Sequence, residues 1–145
     1  PPTTRYGTPD PNGNPVSEIG PVRTIAGEPT IRTVPRMADA NSSGDIFGGW
    51  VLSQMDNAGA IPAIARAKGR VVTIAIDAMT FHAPIYVGDH VSVYAEVAKV
   101  GRTSLSIRIE TIARRVGTSE EVRVTEGTFV YVAVDENGRP RKVPA

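Results

Sequence analysis

The spacing of hydrophobic residues changes twice along the chain and divides it into three parts. As far as Pro29 only isolated apolar residues stand among Pro, Gly, Asn and Thr, and eight of the twelve prolines lie between Pro1 and Pro35. Such a segment buries too little surface to offset its ordering entropy, so residues 1–29 are expected to form an extended or disordered arm. Ile19, Val22 and Ile25 give its second half apolar points with which to lie across a partner subunit. Residues 30–145 then read as one domain.

The β-branched stretch Thr30 to Val34, stopped by Pro35, predicts a short first or edge strand. Asn41-Ser42-Ser43-Gly44-Asp45 has the side-chain acceptors of a turn leading into a helix cap. From Gly48 to Lys68, Val51, Leu52, Met55, Ala58 and Ala65 recur at helical spacing, with Gly69 as terminator and Pro62 expected to bend the run. Ala58, Gly59, Ala60 and Ala63 make this helix thin, so that a sheet can wrap closely around it. Beyond Arg70 the period becomes two. Four strands are predicted, at about Val71–Phe81, His90–Val100, Leu105–Arg115 and Arg123–Val134, separated by Gly- and Asp-containing turns. Val91, Val93, Ala95 and Val97 share one face of the second of these. Leu105, Ile107 and Ile109 share one face of the third, with Ser106, Arg108 and Glu110 opposite. The fold class is α+β, a long helix set against a curved antiparallel sheet of about five strands.

Composition narrows the function. The chain has 145 residues, one domain's worth, and a formal net charge of +1 with both signs scattered, which offers no basic stripe for nucleic acid. Cysteine is absent, excluding disulfides, thiolate nucleophiles and cysteine metal sites, and fitting a cytoplasmic location. No apolar stretch reaches the roughly 20 residues of a membrane helix, and the Pro-rich start lacks a signal-peptide core. No membrane or nucleic-acid partner is expected. Of the two histidines, His82 beside Ala83-Pro84 and His90 at a strand start, neither belongs to a helical metal motif or a serine-hydrolase pattern. No metal or cofactor is predicted.

What remains is Gly44-Asp45-Ile46-Phe47-Gly48-Gly49-Trp50, a carboxylate just before two glycines that open a helix. Unshielded N–H groups at a helix start can approach a carbonyl oxygen and stabilise the charge it gains under attack. Asp45 is near enough in sequence to accept a proton from water or to attack directly. The same residues also serve as a cap and a packing contact, and spacing alone does not choose between these readings.

The choice is made by resemblance. Asn41 to Trp50, followed by Ser53-Gln54-Met55-Asp56, resembles the signature of the YciA-type acyl-CoA thioesterases. The match continues through Gly69-Arg70-Val71-Val72-Thr73, Met79-Thr80-Phe81, Pro84, Val87-Gly88-Asp89, Gly101-Arg102-Thr103-Ser104 and Tyr131 to Asp135, covering nearly all of residues 30–139.

This resemblance implies a hotdog fold that pairs into a dimer, commonly three dimers to a hexamer, with acyl-CoA sites between subunits and CoA entering only as part of the substrate. It places the catalytic carboxylate on Asp45, as general base or nucleophile, and the oxyanion-binding helix start on Gly48 and Gly49. Asp56 is a second candidate catalytic acid, on the same helix, with a hydrogen-bonded structural residue as the alternative. Arg102, Thr103 and Ser104 are expected to contact CoA, the guanidinium meeting phosphate and the hydroxyls the pantetheine amides. Trp50, Met79 and Phe81 are candidates for the acyl channel, against plain core packing. Asp77 stands where the family has glutamate, and His82 where an apolar residue is usual. Three rivals are weighed: a hotdog domain that binds acyl-CoA as a sensor without hydrolysing it, a structural oligomer-forming domain, and a hotdog dehydratase, whose paired Asp and His on one short segment are missing.

Overall fold

Gly59 sets how closely helix and sheet approach. In the computed structural model, which describes residues 22–118 and 120–145, α1 (Gly48–Ala67) lies against an antiparallel sheet. The strands are β1 (Ile31–Thr33), β2 (Val71–Phe81), β3 (His90–Val100), β4 (Ser104–Arg114) and β5 (Glu121–Ala133), in the order β1-β3-β4-β5-β2. A Cβ on Gly59 would stand 2.7 Å from the Ile109 side chain and would overlap the Tyr131 hydroxyl. A glycine in a helix costs about 1 kcal/mol relative to alanine, whereas fully burying one Met or Ile contributes about 1.5–3 kcal/mol. Met55, Ile107 and Ile109 are all fully buried in the core around this contact, so packing outweighs propensity.

This is the expected hotdog arrangement. The helix begins at the predicted residue and continues through Pro62. Its left-handed cap falls on Lys68, while Gly69 leaves the space that Arg141 enters to bond the Ala67 carbonyl at 2.9 Å. A cation there also complements the negative end of the helix dipole. β2 and β3 have the predicted bounds. β1 is shorter than Thr30–Val34, β4 starts and ends one residue earlier, and β5 spans two residues more at its start and one fewer at its end. Val97, expected to share the buried face of Val91 and Val93, is exposed: it keeps its register opposite the buried Ile107, but β1 covers β3 only as far as Ile31 opposite Val93.

The outer sheet face is also covered. Residues 1–21 of the expected arm lie outside the described residues, Ile19 among them. Val22 and Ile25 pack on this chain's own sheet, over Tyr94 and Ile112. The Arg23 guanidinium lies 4.5 Å from the centre of the Tyr94 ring. Glu110 is fully buried beneath this segment. It accepts hydrogen bonds from the Ile25 N–H at 2.8 Å and from the N–H and hydroxyl of Thr24 at 2.9 and 2.8 Å, and it pairs with Arg108 and Arg123. Burial pushes this carboxyl upward, but the bonds from Ile25, Thr24 and Arg123 together lower it from 4.5 to about 2.

A carboxyl lowered on folding stabilises the fold above its unfolded pKa and loses that contribution as pH falls through the folded one. Thermal unfolding followed by circular dichroism should therefore show the midpoint dropping between pH 4.5 and about 2. The drop should be smaller in Glu110→Gln, which starts lower at neutral pH; equal acid sensitivity in both proteins would contradict the assignment.

Candidate active site

Asp45 is held by its backbone from both sides. Asn41 folds the turn before it: its side-chain oxygen accepts from the N–H groups of Ser43 (2.9 Å) and Asp45 (3.2 Å), and its own N–H bonds the Asp45 carbonyl at 2.8 Å. Gly44 supplies the positive φ of 85° that the turn requires. Asp45 then bridges Tyr86, and the Ile46 N–H bonds the Ile85 carbonyl at 2.9 Å while the Ile46 side chain enters the core. The carboxylate is half-buried, with Oδ1 sequestered from solvent.

Three residues later the helix opens. The N–H groups of Trp50 and Val51 both turn back to the Phe47 carbonyl, at 3.1 and 3.4 Å, and Phe47 makes no side-chain cap. The N–H groups of Gly48 and Gly49 have no acceptor among the described residues, and both glycines are exposed. A Cβ on Gly49 would meet nothing within 4 Å, and one on Gly48 only the tip of the Phe81 ring at 3.8 Å. These glycines are therefore not packing contacts; they leave two donors open at the positive end of a 20-residue helix. Chain length alone keeps Asp45 within about 11 Å of Gly48, three residues on, and about 14 Å of Gly49, four residues on.

The other predicted residues divide between this end and elsewhere. Phe81, at the end of β2, stands beside Gly48 and is partly exposed. Trp50 and Met79 pack against the core. Met79 follows a bulge in β2 between Asp77 and Thr80, where Ala78 takes a strained positive φ of 49° and Gly127 opposite leaves room for the Met79 Cβ. Asp56 sits two helical turns beyond Gly48, about 12 Å along the axis. Its Oδ1 accepts from the Thr73 hydroxyl at 2.5 Å and the Tyr131 hydroxyl at 3.1 Å, and the Tyr131 hydroxyl also donates to the Asp56 carbonyl at 2.8 Å. Burial first, and the neighbouring Asp56 charge second, push the Tyr131 hydroxyl far above its ordinary range, so it remains a donor. This geometry suits Asp56 to fastening α1 to β2.

Arg102, Thr103 and Ser104 lie at the opposite end of the molecule. Their turn joins β3 to β4, is braced by the Ala133 N–H on the Thr103 carbonyl (2.9 Å) and the Val143 N–H on the Arg102 carbonyl (2.8 Å), and sits level with the start of β2. The length of α1 and of β2, about 30 Å, separates it from Gly48 in the same chain. Among the described residues no group of three or more His, Asp or Glu is placed to hold a metal ion, and no helix is long and apolar enough to cross a membrane.

Sequence reasoning missed the pair between His82 Nε2 and the Glu126 carboxylate, at 2.7 and 2.9 Å. It also missed Tyr131 as the partner of Asp56. The alternation of β5 placed these residues on faces without showing what lies across from them.

Comparison with known proteins gives the family. The model of the thioesterase superfamily matches residues 43–119, from the turn before Asp45 through β4. The acyl-CoA thioester hydrolase YciA of Salmonella typhimurium is 48% identical over 124 residues, covering 83% of this chain and 93% of its own. Among solved structures, the hexameric thioesterase y2039 from Yersinia pestis superposes with a TM-score of 0.79 at 48% identity, over 83% of this chain and 98% of that one. A hexameric broad-specificity acyl-coenzyme A thioesterase, solved as an Asp-to-Ala mutant enzyme, superposes with a TM-score of 0.78 at 46% identity, over 82% and 88%. With a family match over residues 43–119 and identity of this extent along almost the whole domain, the chain belongs to the thioesterase superfamily, among the YciA-type acyl-CoA thioester hydrolases.

Proposed function

We propose that this chain hydrolyses acyl-CoA to free acid and CoA at Asp45, Gly48 and Gly49, in a site completed by a second copy of the chain. The observation that carries the reading is the pair of open N–H groups at Gly48 and Gly49 within reach of Asp45. The thioester oxygen seats on these N–H groups, which stabilise the oxyanion as the carbonyl carbon is attacked. In one route Asp45 takes the proton from an attacking water; the C–S bond then breaks and the thiolate of CoA recovers a proton. In the other, Asp45 attacks the carbonyl carbon first and expels the thiolate of CoA as the C–S bond breaks, and water then cleaves the resulting anhydride to release the acid and restore the carboxylate. The same carboxylate position serves both.

The second copy follows from what one chain leaves uncovered. Edge strand β2 exposes Ile74 and Ile76, and α1 exposes Ile61 and Ile64 beside it. An apolar helix face next to an unpaired strand edge is a surface for association. An antiparallel partner would bring its own Arg102-Thr103-Ser104 turn to the Asp45 end, where Arg102 meets CoA phosphate. The solved relatives named above are hexameric, which supports a trimer of dimers here. The lack of cysteine fits a reducing, cytoplasmic setting.

Asp45→Ala should lower the rate of CoA release from an acyl-CoA series by about 10²- to 10⁴-fold without changing the scattering mass. Tight binding of acyl-CoA by the unaltered protein without release would overturn the enzyme reading in favour of a sensor. Gly49→Ala should leave thermal stability unchanged or raise it by up to about 1 kcal/mol, since the added methyl meets nothing and alanine favours the helix. It should nevertheless cost about 10- to 100-fold in kcat/KM by displacing the bound carbonyl. Wild-type kinetics in that variant would show that these N–H groups do not receive the substrate.

A further inference from the structure

The end of β2 is pinned on either side of Phe81, at Thr80 and at His82. The Thr125 hydroxyl donates to the Thr80 carbonyl at 2.5 Å, and the His82 N–H donates to the Val124 carbonyl at 2.7 Å. The His82 ring meets both oxygens of Glu126 on the outer face. Glu126 is itself faced by Arg123 at 3.8 Å, and Arg123 pairs with the fully buried Glu110. His82 is thus tied, through alternating charges, to the best-anchored carboxylate of the sheet. Between Thr80 and His82 stands Phe81, whose side chain takes the inner face and brings its ring tip beside Gly48.

Nothing comparable holds the Phe81 ring directly: it is 38% exposed and lies outside the buried core. Its place is therefore set by the backbone. That backbone belongs to an edge strand paired only with β5 and lies just past the bulge at Ala78, so it needs the outer-face clasp to be fixed. Resting on the hydrolase reading above, we infer that His82 is a positioning residue: its clasp on Glu126 holds the Phe81 ring beside Gly48 and so sets which acyl groups fit beside the reacting carbonyl. A carbonyl seated on Gly48 and Gly49 has its first acyl carbons against the Phe81 ring, where one methylene of fit is worth about 10-fold or more in discrimination.

The test is kcat and KM across acyl-CoAs from acetyl to long-chain, with wild type, His82→Ala, His82→Gln, Phe81→Ala and the double variant. His82→Ala should flatten the chain-length preference by about tenfold, chiefly through KM. His82→Gln, whose amide N–H can still donate to Glu126, should retain it. If His82 acts through Phe81, the double variant should match Phe81→Ala rather than combine the two losses. A wild-type chain-length profile in His82→Ala, or additive effects in the double variant, would overturn the inference. Should His82→Ala fail to fold by circular dichroism, Glu126→Ala removes the same clasp from the other side, and an unchanged profile there counts equally against it. Failure of the parent reading looks different: no acyl-CoA of any length would then be hydrolysed by the wild type.

Discussion

The near-contact of α1 with β4 and β5 at Gly59 governs what this molecule can do. Only a residue without a side chain fits between the helix axis and the Ile109 and Tyr131 side chains, and Ala58, Ala63 and Ala67 extend the same thin face, all fully buried. The helix thereby lies in the concave side of the sheet with its first turn at one end of the strands. Because the first turn carries glycines and no side-chain cap, the helix presents two backbone donors at a fixed place. The rest of the site is built to reach that place. Asn41 shapes the turn that brings Asp45 toward it, the Ile46 and Ile85 backbones lock that turn to the loop before β3, and Phe81 closes one side.

The same packing leaves the chain incomplete. A thin helix can be covered by a sheet on one side only, and the sheet here ends at β2, whose backbone edge is unpaired among the described residues and whose Ile74 and Ile76 are exposed. Asp56, bonded to Thr73 and Tyr131, ties the helix to this edge strand and keeps the open surface in one piece. The residues suited to CoA lie about 30 Å from the residues suited to the thioester. The proposed site gives chemical meaning to association across the exposed apolar edge between its halves: on that proposal one copy supplies the carboxylate and the oxyanion donors, the other the phosphate contact.

Much of this was legible in the residues. The switch from a 3.6- to a 2-residue period located α1, β2 and β3 to within a residue, because Gly69, Gly88 and Gly101 punctuate the chain between them. The Gly48-Gly49 start was visible as a motif, although spacing could not show that Gly49 faces open space and that Gly48 has only the tip of the Phe81 ring beside it, which speaks against a packing role. Features depending on partners distant in sequence were not legible. Glu110 alternates like a surface residue of β4, yet it is buried because Thr24 and Ile25 fold over it. Val97 follows the apolar alternation of β3, yet it is exposed because β1 pairs β3 only as far as Val93. His82, set apart in the sequence only as a departure from an apolar position, gains its meaning from Glu126 on the neighbouring strand.

The central claim, a site shared between two copies, is tested most directly by mixing two crippled proteins, Asp45→Ala and Arg102→Glu, after co-refolding or co-expression. In a two-fold pair each mixed dimer regains one intact site from two defective subunits, so random pairing should restore about one quarter of wild-type activity at substrate concentrations below KM. Activity no greater than the mean of the two separate variants, with mixed oligomers shown to be present by mass spectrometry, would contradict the account and confine the chemistry to one chain.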